Sequence, residues 1–209
     1  IEPMQPHIAA HYAHTLNQAL AQARSVQAVW VFGYASLIWR PEFEAAEVLP
    51  ARLTGWHRAL RMRSRVNRGT PEQPGLVFAL LHGGACRGMV YKLCPERVSD
   101  DLARLWSREM PLAVYEPRWL PCQTPQGVVQ ALTFTLSRRH TSYTGALDDT
   151  ALLEILRHAK GRYGSTLDYV LKTHACLLDV GICDRQVARL IALAQAHGLI
   201  DNTAALGAT

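Results

Sequence analysis

The sequence is short of aromatic residues, of long apolar runs and of cysteines in pairs. Of its 209 residues, 8% are aromatic and 19% are charged, whereas 49% are hydrophobic. The longest apolar run, residues 28–37, falls short of the roughly 18 residues that a membrane-spanning helix needs. A chain with this hydrophobic content can bury a core and is not disordered. We therefore expect no membrane-spanning helix and one globular domain, since domains commonly have about 100–200 residues.

The cysteines and the N-terminus bear on the cellular compartment. The five cysteines form no Cys-X-X-Cys pair, and their odd number leaves one over, which argues against a secreted disulfide framework and a zinc site. Free cysteines are commonly buried, so we expect structural roles for them. No basic segment leads into an apolar stretch at the N-terminus, as a signal peptide would require. We expect a cytoplasmic protein.

The net charge of +5 arises unevenly along the chain. Five arginines share one short segment, namely Arg58, Arg61, Arg63, Arg65 and Arg68. Such a segment binds phosphate or nucleic acid, binds a small anionic substrate, or forms the solvated face of a strand. No nucleic-acid-binding motif accompanies it, so we expect no nucleic-acid partner.

The N-terminal segment predicts a peripheral helix. Residues 6–27 are rich in alanine, glutamine and leucine and contain no glycine, a composition that favours helix. His7, His11 and His14 fall on one face of this helix, which is either a metal patch or a solvated surface. Because no acidic or cysteine ligand joins them, we expect no bound metal. We predict that residues 1–28 are an extension of one domain formed by residues 29–209.

Apolar runs bounded by turn residues predict the strands. They lie at residues 28–32, 52–63, 76–81, 88–93, 114–122 and 128–136. The first is the most apolar and is expected to be a buried central strand. Gly83 and Gly84 supply the positive φ angles of a tight hairpin turn between the third and fourth strands. Residues 124–127, Thr-Pro-Gln-Gly, predict a turn between the last two.

Helical spacing dominates the last third of the chain. A helix is first predicted at residues 95–109 and ends before Pro111, because the residue before a proline is pushed out of helical geometry. Further helices are predicted at residues 152–159 and 166–180, and a last one is capped by Asp184. The expected class is α+β, with a curved, mostly antiparallel sheet or barrel and helices packed against it.

Two local features carry candidate chemistry. The buried strand runs directly into the small-residue loop at residues 33–37, whose backbone N–H groups form either a nest for an oxyanion or carboxylate or a purely structural turn. Glu109 lies at the C-terminal end of a helix, where the helix dipole disfavours a negative charge. Burial there would raise the pKa of this carboxyl, as a general base requires. The alternative is a surface glutamate paired with a neighbouring arginine.

Several motifs occur in a fixed order along most of the chain. They are Trp-Val-Phe-Gly-Tyr-Ala-Ser-Leu-Ile-Trp at residues 30–39, Gly-Trp-His-Arg at 55–58, Arg-Gly-Thr at 68–70 with Pro-Gly at 74–75, Gly-Met-Val-Tyr at 88–91, Arg-Glu-Met at 108–110, Asp-Tyr-Val-Leu at 168–171 and Gly-Ile-Cys-Asp at 181–184. In this order they closely resemble the ChaC family, the glutathione-specific γ-glutamylcyclotransferases. The resemblance covers about residues 30–190.

The resemblance implies a fold and a reaction. The fold is γ-glutamylcyclotransferase-like, a mixed, mostly antiparallel barrel with flanking helices. The reaction is the cleavage of glutathione, a small-molecule substrate, to 5-oxoproline and cysteinylglycine without metal or organic cofactor. The alternatives are a non-catalytic ChaC-like binding protein and a cyclotransferase for other γ-glutamyl peptides. Oligomeric state is not predicted.

The resemblance also implies the site residues. Glu109 is the catalytic glutamate. The substrate-binding residues are Val31, Phe32, Gly33, Tyr34, Ala35, Ser36, Leu37, Arg68 and Tyr143. Arg68 and, as a second candidate, Arg58 would meet the anionic ends of glutathione, whereas Tyr143 either orders the substrate amine or packs at the barrel rim. Ala35 stands where the family usually has glycine, which lowers activity if the backbone φ there is positive or if the substrate passes within a methyl group of it.

Overall fold

A computed structural model describes residues 4–201 and divides the chain into two compact units. Unit 1 contains residues up to 57 together with residues 80–137, and unit 2 contains residues 58–79 and those from 138 onward. Among the described residues, no helix is long and apolar enough to cross a membrane.

The N-terminal helix packs against a second helix of unit 1. Helix α1 spans Pro6–Arg24, and α3, which spans Val98–Glu109, follows a 3-10 turn at Pro95–Arg97. The fully buried Trp106 donates a hydrogen bond from Nε1 to Oγ1 of Thr15 at 3.0 Å. Both predicted helices are confirmed, and α1 packs on α3.

Five strands form a closed barrel. They are β1 (Trp30–Gly33), β2 (Ala45–Ser64), β3 (Gly75–Leu93), β4 (Glu116–Thr124) and β5 (Gly127–Thr135), in the order β1-β3-β2-β4-β5. Strand β1 is antiparallel to β3 and parallel to β5, which closes the barrel. It is buried along its whole length. The predicted central strand, the mixed barrel and the turn between β4 and β5 are confirmed.

The predicted hairpin at Gly83 and Gly84 is wrong. These glycines have φ angles of +104° and +72°, but they lie inside the continuous strand β3. The strand pairs with β5 at Leu80, before the two glycines, and with β1 at Met89, after them. The parts of β3 on either side of the glycines therefore have different neighbouring strands. A positive φ also occurs where an irregularity interrupts a strand without reversing it. A hairpin turn and such an irregularity therefore show the same glycine pattern in the sequence.

Three helices and a short hairpin follow in unit 2. Helix α4 spans Asp149–His158, strands β6 (Lys160–Gly161) and β7 (Gly164–Ser165) pair with each other, and helices α5 (Thr166–Asp179) and α6 (Arg185–Ala196) come last. The Ser165 hydroxyl accepts a hydrogen bond from Asp168 N at 3.0 Å, and the Asp184 carboxylate accepts two from the first turn of α6. Both predicted caps are confirmed, because a side-chain acceptor satisfies the free N–H groups at a helix start.

A buried ion pair joins β2 to the start of α6. Nη1 of Arg58 lies 3.0 Å from Oδ2 of Asp184, and only 1% of the Arg58 side chain is exposed. The structure thus pairs the guanidinium of Arg58, the second candidate for substrate anions, with a protein carboxylate.

Candidate active site

The loop at residues 33–37 is fixed by the barrel. Phe32 is fully buried just before the loop, and the short helix α2 (Ser36–Trp39) begins inside it. The Tyr34 hydroxyl donates a hydrogen bond to the Phe134 carbonyl oxygen of β5 at 3.1 Å. A Cβ atom at Gly88 of β3 would collide with the Gly33 carbonyl oxygen, so glycine at position 88 permits the close approach of β3 to the loop.

The φ angle at Ala35 is negative. It is −150°, outside the left-handed region in which glycine is favoured. The departure from the glycine usual at this position therefore carries no positive-φ penalty.

Glu109 is the last residue of α3 and is largely shielded from solvent. Only 14% of its side chain is exposed, and its Oε1 lies 2.9 Å from Nε of Arg108. The neighbouring arginine of the alternative interpretation is therefore present, but the carboxylate that it binds is largely shielded from solvent rather than on the surface.

Arg108 connects this carboxylate to the loop. Its Nη2 donates a hydrogen bond to Oγ of Ser36 at 2.8 Å, and its Nη1 donates to the Arg40 carbonyl oxygen. Oε2 of Glu42 lies 3.8 Å from Nη1. In unit 1 the structure thus brings Glu109 and the first residue of α2 to one guanidinium. Sequence reasoning missed this role, although Arg108 stands next to the predicted glutamate in the motif.

Burial dominates the electrostatics of Glu109. It raises the pKa of this carboxyl above its ordinary value of 4.5, because desolvation disfavours the charged form. The positive charge and hydrogen bond of Arg108 lower the same pKa, and the negative charge of Glu42 raises it further. A carboxyl of this kind is suited to exchange protons nearer to neutral pH than an exposed glutamate.

The two other predicted substrate residues lie in unit 2. Arg68 is 5% exposed, and its Nη1 donates to the Tyr163 carbonyl oxygen and lies 3.6 Å from Oδ2 of Asp168. Tyr143 is half-buried and forms an isolated β-bridge with Met62. These contacts define their positions within unit 2, and the substrate roles of both residues stay predictions.

No metal site appears among residues 4–201. Within this range, no group of three or more histidine, cysteine, aspartate or glutamate side chains is arranged to hold a metal ion. The three histidines of α1 belong to this range and form no such group.

Most of the chain matches one known protein family. A family model described as ChaC-like protein matches residues 29–197. The chain belongs to the ChaC-like family. The match begins directly after residues 1–28, the segment that we predict to be an extension, and it confirms the resemblance seen in the motifs.

Two relatives of this ChaC-like protein are named glutathione-specific gamma-glutamylcyclotransferases. The glutathione-specific gamma-glutamylcyclotransferase of Escherichia coli K12 is 34% identical over 173 residues, which is 82% of this chain and 75% of that protein. The human glutathione-specific gamma-glutamylcyclotransferase 1 is 30% identical over 151 residues, or 70% of this chain and 68% of that protein.

A solved structure shares the fold. The crystal structure of a yeast gamma-glutamyl cyclotransferase specific to glutathione aligns with a TM-score of 0.74, at 20% identity, over 81% of this chain and 96% of that one. This likeness confirms the predicted γ-glutamylcyclotransferase-like fold.

Proposed function

We propose that this ChaC-like protein is a γ-glutamylcyclotransferase that cleaves glutathione to 5-oxoproline and cysteinylglycine. The observation that carries the proposal is the largely shielded Glu109 carboxylate, held by the same guanidinium that binds Ser36 of the loop. The names of the relatives from Escherichia coli and human support glutathione as the substrate.

The proposed reaction is an intramolecular cyclisation. The substrate's own α-amino nitrogen attacks its γ-amide carbonyl carbon, a new C–N bond closes a five-membered ring, and the amide C–N bond to the cysteine nitrogen breaks. Since both reacting groups belong to one molecule, the protein has mainly to fold the γ-glutamyl arm into the attacking geometry. The loop next to β1, which is fixed by the barrel, is proposed to hold the γ-glutamyl arm in that geometry.

Glu109 is the proposed general base and acid. An α-ammonium group is not nucleophilic, so the carboxylate removes a proton from it and later returns a proton to the departing cysteine nitrogen. The raised pKa of the buried Glu109 carboxyl supports both steps, because the same group has to accept and to release a proton.

The loop is proposed to bind the γ-glutamyl group. The backbone N–H groups of the loop at residues 33–37 are suited to stabilise the tetrahedral oxyanion or to bind the α-carboxylate. Residues 31–37 form this part of the proposed site. Arg68, toward the anionic ends of glutathione, and Tyr143, toward its amine, stay proposed substrate-binding residues, and no metal or organic cofactor is proposed for the reaction.

We also propose a cytoplasmic location. All five cysteines are free thiols, and burial raises the pKa of Cys122 and of Cys176 to about 12. Unreactive free thiols are typical of proteins that work in a reducing compartment.

The pH dependence of kcat/KM should reflect the ionisation of Glu109. As a general base this residue must be ionised, so kcat/KM is expected to fall as the pH drops through its pKa. Because burial raises that pKa above its ordinary value of 4.5, the acid limb should have its midpoint above that value. Initial rates measured across a pH series check this, and an acid limb at or below the ordinary value contradicts the assignment.

A comparison of substrates tests the proposed specificity. Purified protein is incubated in parallel with glutathione and with γ-glutamylalanine, and 5-oxoproline is quantified in each. We expect release from glutathione. Turnover of γ-glutamylalanine alone keeps the chemistry and changes the substrate class, whereas no turnover of either by folded protein favours a non-catalytic binding protein.

A further inference from the structure

We propose that Arg108 is a positioning residue, whose guanidinium sets the carboxylate of Glu109 at a fixed place relative to the loop that begins α2. This inference deepens the proposed cyclotransferase function and rests on it. Arg108 acts on the substrate only through the groups that it holds.

All three nitrogen atoms of the Arg108 guanidinium are engaged. Nε lies 2.9 Å from Oε1 of Glu109, and Nη2 donates to Oγ of Ser36 at 2.8 Å. Nη1 donates to the Arg40 carbonyl oxygen and lies 3.8 Å from Oε2 of Glu42. The guanidinium group is planar and rigid, so partners on different nitrogens are held at set distances from one another.

These partners come from distant parts of unit 1. Ser36 is the first residue of α2 and Arg40 follows its last residue, so Arg108 binds α2 at both ends, whereas Glu109 ends α3. Only 17% of the Arg108 side chain is exposed, which limits competition from water. The two features that the proposed reaction needs together, the base and the loop, are thus joined through one side chain.

Fixing Glu109 relative to the loop should matter for the rate of the proposed cyclisation. The proposed rate gain comes from holding the reacting atoms in an attacking geometry, and a displacement of about 1 Å costs on the order of 100-fold in rate. A lysine at position 108 would keep the positive charge, but its single nitrogen cannot reproduce a fork that binds partners on three sides.

The charge of Arg108 has a second, separable effect. It lowers the pKa of Glu109 against the effect of burial, while Glu42 on the segment between α2 and β2 raises it. The two charged neighbours therefore act in opposite directions on the fraction of ionised base. A residue needed only for folding would not shift the pH profile with a predictable sign.

The test compares four variants of the full chain. Arg108→Met removes both the fork and the charge, Arg108→Lys keeps the charge, Glu42→Gln removes the opposing charge, and Arg104→Met is the matched control on the exposed side of α3. For each variant, kcat and KM for glutathione are measured across a pH series, and folding is checked by circular dichroism and thermal unfolding.

We expect the variants to differ in a defined pattern. Arg108→Met should lower kcat by about 100-fold with a smaller change in KM, and it should move the acid limb to higher pH. Arg108→Lys should also lower kcat but leave the acid limb near its wild-type position. Glu42→Gln should move the limb to lower pH, and Arg104→Met should match the wild type.

Some outcomes would contradict the positioning role of Arg108 and leave the proposed function unaffected. If wild-type protein is active and folded Arg108→Met or Arg108→Lys has an unchanged kcat, Arg108 does not position the base. If Arg108→Met does not fold, the same conclusion follows from an Arg108→Lys variant with wild-type kcat. An inactive wild-type protein would instead contradict the proposed function itself.

Discussion

Replacement of Glu109 by glutamine is expected to abolish turnover of glutathione and to leave the fold intact. A neutral amide cannot take a proton from the substrate's ammonium group, and loss of a positioned general base costs about 100- to 10,000-fold in rate. The readout is 5-oxoproline release per enzyme, measured with wild type and variant at equal concentration.

The stability of this variant should separate chemistry from folding. Burial raises the pKa of Glu109 in the folded protein, so this group stabilises the fold most below its unfolded-state pKa, and that contribution is lost as the pH rises through the folded-state pKa. Above the folded-state pKa the ionised carboxylate therefore opposes folding, and glutamine removes that cost. We expect the Tm of Glu109→Gln at neutral pH to equal or exceed the wild-type value.

A matched control uses an exposed glutamate of unit 1. Glu116 of β4 is 49% exposed and pairs with Arg118, so Glu116→Gln makes the same substitution away from the loop. It should retain wild-type turnover. If Glu109→Gln instead produces 5-oxoproline at the wild-type rate, Glu109 is not the base.

Replacement of Arg58 by methionine is expected to have the largest effect on stability. Its guanidinium is 3.0 Å from the Asp184 carboxylate and almost completely buried. Removal of one partner leaves a charge without its counterpart in a shielded place, which typically costs about 3–5 kcal/mol. Because Asp184 also caps α6, the start of that helix should lose order as well. Urea unfolding of wild type and variant measures the change.

An exposed ion pair of the same unit provides the comparison. Arg189 lies 2.7 Å from Asp149, with side chains that are 63% and 51% exposed, and such pairs contribute about 0–1 kcal/mol. Arg189→Met should therefore change the free energy of unfolding far less than Arg58→Met. Equal effects of the two variants would show that burial of the Arg58 pair does not matter.

Local signals in the sequence predicted local structure well. Ser165 and Asp184 were expected as caps and are caps, because this interaction lies within three residues and depends on side-chain type alone. The hairpin expected at Gly83 and Gly84 failed for the opposite reason. Whether a positive φ reverses a strand or merely interrupts it depends on the pairing partners of β3, which local sequence does not specify.

The same distinction holds for the candidate site. The loop after β1 and Glu109 were each predicted as site residues from local features and from the family resemblance, and their roles stay predictions. The fork of Arg108 was not predictable, since it bonds to Ser36, 72 residues away in sequence. The pairing of Arg58 with Asp184 also joins residues 126 positions apart. A cluster of arginines in the sequence indicates that an anion is bound, but it does not show whether the anion is a substrate or a carboxylate of the protein.

The central claim is tested most directly by the stoichiometry of the products. Purified wild-type protein is incubated with glutathione, and 5-oxoproline and cysteinylglycine are quantified over time. The account predicts equimolar release of both products without added metal or cofactor. Folded protein that leaves glutathione intact, or that releases cysteinylglycine together with free glutamate instead of 5-oxoproline, would contradict it.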